Sequence, residues 1–337
     1  MAVMTTAPTG STQPTGKIGY KGDSYYKYPL LKRMQENIIL EQYGQPYVIP
    51  ANSTDVAKFR RYEALANTPR ELTEGVTPSG NTMTYTDYKV PLKQYGDFIE
   101  MSDKLIETNE DRIMSESADV LGEQAAEMME VVRFGSLCGG TNVYYVGGGA
   151  ARNTVKTVWS VADQRRVVAS LRRQRAKQLT RRVKSNADWG TEPIAASYIA
   201  IAHTDLESTI RNMDGFVPAE KYGSETPSPN EIGKVEAVRY ILTTLAPKWD
   251  GEGASATSGV QATGGKADVY PILILGKDAY GLVNFKGASS IEMIVHAPKA
   301  DSVDKLAQRG HVGWKGYHAV CILNDLWIAR VETAVLE

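Results

Sequence analysis

Polar and apolar positions change period several times along this 337-residue chain, and each change marks an element. Residues 1–24 are Thr-, Gly- and Pro-rich with no apolar period, the signature of a flexible arm. Leu30, Leu31, Met34, Ile38 and Leu40 then predict a helix over 25–43. Pro46 and Pro50 bracket an extended piece, and "VAKFRRYEAL" (56–65) follows. Further on, "TPSGN" (77–81) is a turn signal, beyond which Tyr88, Val90 and Leu92 alternate with Asp87, Lys89 and Lys93. The segment 72–103 therefore predicts a hairpin whose first strand is poorly apolar. Such a ribbon has little of its own to bury and needs another surface. That surface is the body of its own chain or, favoured by the ribbon's length, a neighbouring copy. Tyr85, Tyr88, Lys89, Val90, Leu92 and Lys93 are the candidate contacts.

A helix is predicted to start at Thr108-x-x-Asp111. Met114, Ala118, Leu121, Ala125, Met128 and Val132 form one apolar stripe, and Gly135, Gly139 and Gly140 end it. Glu116, Glu123, Glu127 and Glu130 give the other face an acidic flank. Ser160 with Asp163 caps a second helix, read as continuing to Ser185. Nine basic residues and no acidic one lie between Gln164 and Ala187. On a helical projection Val161, Val168, Leu171, Leu179 and Val183 fall on one side. Arg166, Arg173, Lys177 and Lys184 fall on the other. Arg175 lands among the apolar group, so it snorkels, finds a partner or marks an irregular end.

The second half alternates short elements. Strands are predicted at 197–203, 235–243, 270–276 and 290–298, with a Thr204-x-x-Glu207 capping box between the first two. Residues 249–268 read as an exposed loop, and 318–335 as a strand pair turning near Asn324-Asp325. The expected class is α+β.

Composition narrows the function. With 38 Lys+Arg against 39 Asp+Glu, the net charge of -1 argues against a protein that coats DNA. Cys138 and Cys321 offer neither a disulfide framework nor zinc spacing, as expected of a reducing compartment. No signal-peptide core and no bilayer-length apolar run occur, so a soluble cytoplasmic product and no membrane partner are expected. Eighteen Tyr against five Phe suit surfaces buried on assembly, or reflect lineage bias.

Catalytic chemistry is hard to find. "VGGGAAR" (146–152) lacks the dinucleotide-binding spacing, and "GGKAD" (264–268) lacks the hydroxyl after its lysine that would hold Mg²⁺. His318-x-x-Cys321 puts its two side chains on opposite faces of a strand. No GxSxG elbow is present, and Cys138 reads as a small apolar residue. No cofactor, metal or catalytic constellation is expected, and the chain is not read as an enzyme.

Several segments, taken in order, resemble the major capsid proteins of tailed bacteriophages, in the N4-like family with the Hong Kong 97-type shell fold. They are "VAKFRRYEAL", "LTEGVTP", "YGDFIEMSD" leading into the long helix, "NEIGKVEAVRYILT" (230–243) and "DKLAQRGHVGWKGYHAVCILND" (304–325). Together they span about four fifths of the chain; each alone is weak, and the ordered set is specific. The resemblance implies an N-terminal arm (1–45), a peripheral-domain strand (46–67) and an extended β-hairpin loop (68–101). A peripheral domain with a long spine helix (102–160), an axial domain (161–290) and C-terminal strands returning to the peripheral domain (291–337) complete it. It also implies homo-pentamers and homo-hexamers closing into an icosahedral virion shell around double-stranded DNA, assembled in the host cytoplasm. A portal at one vertex and a cement or decoration protein are further implied partners. Only about 25 residues precede the first predicted helix, so a separate scaffolding protein and little N-terminal processing are expected.

Within that layout the basic stripe faces packaged DNA, faces an acidic neighbour such as the Glu-bearing flank of another spine, or is simply solvated. Other readings of the whole chain are an encapsulin-like nanocompartment shell, a DNA-binding protein using the 164–187 helix, and an α/β enzyme whose site escapes notice.

Overall fold

Strands, many of them rich in β-branched and aromatic residues, make up most of the regular structure, and among the described residues only two helices exceed two turns. The computed structural model describes residues 39–337 except 51–53, 67, 70, 73, 76, 78, 110–112, 184–190, 224–226, 229, 286–290 and 301–303. Its strands begin with β1 (Gln45–Ile49), β2 (Val56–Tyr62), β3 (Tyr85–Pro91) and β4 (Lys93–Ser102). The helices α1 (Asp103–Thr108) and α2 (Ile113–Leu137) follow, then β5 (Val143–Tyr145) and α3 (Val161–Arg173). Next come β6 (Leu179–Val183), β7 (Thr191–His203), α4 (Glu207–Arg211), β8 (Phe216–Pro218), β9 (Glu231–Val235) and β10 (Val238–Thr243). The two-residue pair β11 (Ala262–Thr263) and β12 (Lys266–Ala267) precedes β13 (Val269–Leu275) and β14 (Tyr280–Phe285). The last strands are β15 (Ile291–His296), β16 (Arg309–Ile322) and β17 (Ile328–Ala334).

Two sheets organise thirteen of these strands, and β2–β3 and β11–β12 form separate two-stranded ribbons. The first has the order β1-β14-β16-β15, with β4 also on β16. The first part of β16 lies between β4 and β15, and its last part pairs with β14. The long helix α2 packs on this sheet, where Leu121, Ala125 and Met129 meet Met101, Val312 and Trp314. The second sheet runs β5-β17-β13-β7-β10-β9-β8, with β6 paired to β7. Every residue of β10 and β13 is buried, because both faces of this sheet are covered. Tyr198, Ala200 and Ala202 point to the face under α3 and the α4 turn. Ile199 and Ile201 point to the other face, where they meet Phe134 and Leu137 at the end of α2, Tyr280 of β14, and Ile39 and Leu40. That second cluster joins the two sheets.

Several expectations change. The predicted helix at 25–43 falls outside the described residues except at its end, where Leu40–Gln42 form a single 3-10 turn. The hairpin at 77–81 is replaced by a wider one. The partner of β3 is β2, in the register Ala57↔Val90, Phe59↔Tyr88 and Arg60↔Asp87, and residues 63–84 connect them. Phe59 and Ala57 supply the apolar residues that the 72–76 segment lacked. The 235–243 segment is not one strand: Glu236, at φ 53°, turns the chain between β9 and β10. The predicted 318–335 pair does not pair, since β16 belongs to the first sheet and β17 to the second. The C-terminal block 291–337 thus divides between the sheets. β5 belongs to the second sheet and β14 to the first. At 204–212 the cap is His203, whose ring accepts from the Asp205 amide (3.1 Å), because Thr204 already lies inside the turn.

Candidate assembly surfaces

The β2–β3 ribbon has an anchored base and a free tip. At the base Ala57, Phe59 and Val90 are buried against Val283, Ala319 and Leu323, with Tyr88 and Leu92 half-buried beside them. The Phe59 ring lies directly over Gly281, where any Cβ would come within 2.6 Å of it. At the tip Tyr62 and Tyr85 are 56% and 53% exposed and meet edge to face. Arg60 stacks over Tyr85 at 4.0 Å and donates to Asp87 (2.8 and 3.2 Å), which also pairs with Lys58 (2.7 Å). Hydrogen bonds from Arg60 first, then Lys58, hold the Asp87 carboxyl down to about 2. Lys89 and Lys93 are exposed. Of the six ribbon candidates, Tyr88, Val90 and Leu92 therefore pack on their own chain, while Tyr85, Lys89 and Lys93 remain open.

A second surface is the exit of the N-terminal segment. The amides of Ile39 and Leu40 donate to Glu130 Oε1 (3.0 and 2.8 Å), and Arg133 Nη1 donates to Glu130 Oε2 (3.0 Å). Arg133 also reaches Glu41 (3.2 Å) and donates from Nε to His318 Nε2 (3.2 Å). The Tyr280 hydroxyl donates to the Leu40 carbonyl. Glu130, Arg133 and His318 are all buried. Glu130 is thus removed from the predicted acidic flank: it faces inward because Arg133 and two backbone amides satisfy it. The apolar stripe of α2 shifts with it, running through Ile113, Ser117, Leu121, Ala125 and Met129, with Met114, Ala118 and Met128 at its margin. Desolvation first, then the Arg133 charge, lowers the His318 imidazole to about 3.

The acidic flank that remains borders a groove of about 570 Å³ between β4 and α2, lined by Asp97, Ile99, Val120, Glu123, Gln124 and Glu127. Gln124 bridges it, donating to Asp97 (2.7 Å) and accepting from Trp314 (3.3 Å).

The basic helix starts as predicted, with Ser160 Oγ accepting from the Asp163 amide (3.3 Å). It stops at Arg173, not Ser185. Arg175 adopts φ 56°, which is the irregular end its position on the projection allowed for. Leu179 and Val183, assigned to a helix face by spacing, belong to strand β6. The four-residue stripe divides accordingly. Arg166 pairs with Asp163 (3.1 Å), Arg173 is exposed at the helix end, Lys177 is exposed in the following turn, and Lys184 lies outside the described residues.

Among the described residues no group of three or more His, Cys, Asp or Glu is placed to hold a metal ion. Burial pushes both thiols, Cys138 and Cys321, up to about 11, away from nucleophilic chemistry. No described helix is long and apolar enough to cross a membrane.

No curated protein matches the chain. Among solved structures, the capsid of Ralstonia phage GP4 matches with a TM-score of 0.73 and 11% identity, covering 98% of this chain and 99% of that one. The cyanophage Pam1 capsid matches with a TM-score of 0.60 and 11% identity over 100% of both chains. An encapsulin complex from Synechococcus elongatus matches with a TM-score of 0.54 and 11% identity, over 92% and 91%. These likenesses fix the fold as the Hong Kong 97-type capsid fold expected from the sequence. The family model described as "Phage capsid protein" matches residues 86–331. The chain belongs to that family and is the major, shell-forming capsid protein of a tailed phage.

Proposed function

We propose that copies of this chain assemble into pentamers and hexamers that close an icosahedral shell around a double-stranded DNA genome. The observation that carries this is the end-to-end match to a phage capsid chain, 98% against 99%. In this reading the first sheet with α2 is the peripheral domain and the second sheet is the axial domain. The 63–84 connection and the tip of the β2–β3 ribbon lie over a neighbouring subunit. The open residues Tyr85, Lys89 and Lys93 then meet that neighbour, and Tyr88, Val90 and Leu92 fix the ribbon's angle from below. Many weak contacts repeated around a closed ring suffice for a stable shell. The protein is structural and carries no catalytic role. Its partners are itself, a separate scaffolding protein during assembly in the host cytoplasm, a portal at one vertex, and a cement or decoration protein.

The encapsulin likeness favours one second reading, a nanocompartment shell. Particle contents separate the two: DNA in one case, a protein cargo in the other. Negative-stain microscopy of the expressed chain tests both shell readings. Closed particles or capsomer rings are expected; monodisperse monomers at high concentration reject them.

A further inference from the structure

The turn that ends α3 is built to display cations. Its hydrogen bonds form a Schellman motif: Ala176 N–H donates to Leu171 (3.0 Å) and Arg175 N–H to Arg172 (2.9 Å). Such a motif places one residue in the left-handed region, and glycine or asparagine is its usual occupant. Here the occupant is Arg175, at φ 56°. Basic residues in a last helical turn are favoured by the helix dipole, which accounts for Arg172 and Arg173. It does not account for Arg175, which lies beyond the helix and carries backbone strain that glycine would remove.

Three outside groups brace this turn. The Trp327 indole donates to the Gln174 carbonyl (3.1 Å), the Tyr198 hydroxyl to the Ala176 carbonyl (2.9 Å), and the Lys277 amide to the Lys177 carbonyl (2.8 Å). The result is a fixed platform on which Arg173, Arg175, Lys177 and Lys277 are exposed. Arg172 is exposed beside them and reaches the Tyr198 hydroxyl. Among the described residues Arg173, Arg175 and Lys177 have no carboxylate partner, whereas Arg165 and Arg166, about two turns before Arg173, are paired with Glu236 and Asp163. Asp278, next to Lys277, is the acidic residue of the adjoining β13–β14 turn.

We propose that this platform binds the phosphodiester backbone of nucleic acid, without reading base sequence. Clustered like charges on a rigid turn suit a polyanion with a continuous row of phosphates. They suit the centre of a protein–protein contact poorly, where charged residues are depleted. The inference rests on the shell reading, since an enclosed genome is the polyanion such a chain would meet.

The test uses the unassembled full-length chain and fluorescein-labelled 30-base-pair duplexes of two unrelated sequences, followed by anisotropy from 50 to 200 mM NaCl. Arg175→Gly is the informative variant, because glycine suits the backbone there and the fold is not at risk. Wild-type binding should be equal on both duplexes. The slope of log K against log salt should shrink by about 0.9 in Arg175→Gly, and by about 2.7 when Arg173→Gln and Lys177→Gln are added. The thermal midpoint of Arg175→Gly should not fall below wild type. Unchanged slopes, or no binding by the wild type, overturn the proposal. It is overturned equally if the triple variant loses empty-shell assembly while its DNA slope matches wild type, which would assign the platform to a second copy. The shell reading itself fails only if the wild type forms no particles.

Discussion

At the scale of single residues, the features that matter most are those where chemistry and position disagree. His318 is a titratable ring in a buried site beside a guanidinium, held near 3. An unfolded histidine titrates near ~6.5. Between those values the unfolded chain binds a proton that the folded chain refuses. Stability therefore falls as pH drops from about 6.5 toward 3 and is flat above that window. The ceiling is about 3 kcal/mol by pH 4.5, at about 1.4 kcal/mol per pH unit. His318→Gln should remove most of that slope, read as the difference in urea midpoints at pH 7 and 4.5. An identical pH dependence in the variant would exclude His318 as its source. Hydropathy could not reveal this node. Glu130 and Arg133 count as polar in any pattern, so their side of α2 reads as solvent-facing. Their mutual pairing, three residues apart, together with the Ile39 and Leu40 amides on Glu130 and His318 and Glu41 on Arg133, lets them turn inward.

At the scale of elements, starts were more legible than ends. Ser160 announced α3 because its hydroxyl caps a specific amide, a local signal. The end at Arg173 was hidden because basic residues continue at helical spacing through the turn, and Arg175 stands where a glycine would have flagged the stop. The ribbon shows a different limit. The alternation in β3 was readable, but its partner β2 lies across the 63–84 connection, and a turn signal inside that connection suggested a nearer one. What pins the ribbon is the Phe59 ring over Gly281. Gly281→Ala should cost about 1–3 kcal/mol by overpacking, measured by chemical denaturation. The cost should largely vanish in a Phe59→Ala background. Equal costs in both backgrounds would mean that another contact sets the ribbon's angle.

At the scale of the whole molecule, the α+β class, the long helix and the ordered capsid-like segments were readable from the sequence. The division into two sheets was not, because β13 and β17 are buried on both faces, which erases the alternation that would assign them, and β16 pairs with β4, β14 and β15 across long stretches of sequence. Sequence neighbours β16 and β17 part at the Asn324–Trp327 turn, and β17 inserts between β5 and β13. Inside the second sheet its Glu332 is fully buried, held by Arg152 (2.8 Å) and Arg330 (3.2 Å). Removing residues 328–337 should therefore abolish cooperative thermal unfolding followed by circular dichroism. A truncated chain that still melts cooperatively near the wild-type midpoint would show that β17 is dispensable.

That insertion also sets a clock on synthesis. β7 leaves the ribosome about 130 residues before β17 does, a delay on the order of ten seconds at ordinary elongation rates. For about the last 60 of those residues β13 waits with one edge unpaired, and throughout the delay β5 has no neighbour. A nascent chain therefore cannot present a finished second sheet to its siblings on the same messenger until β17 is in place.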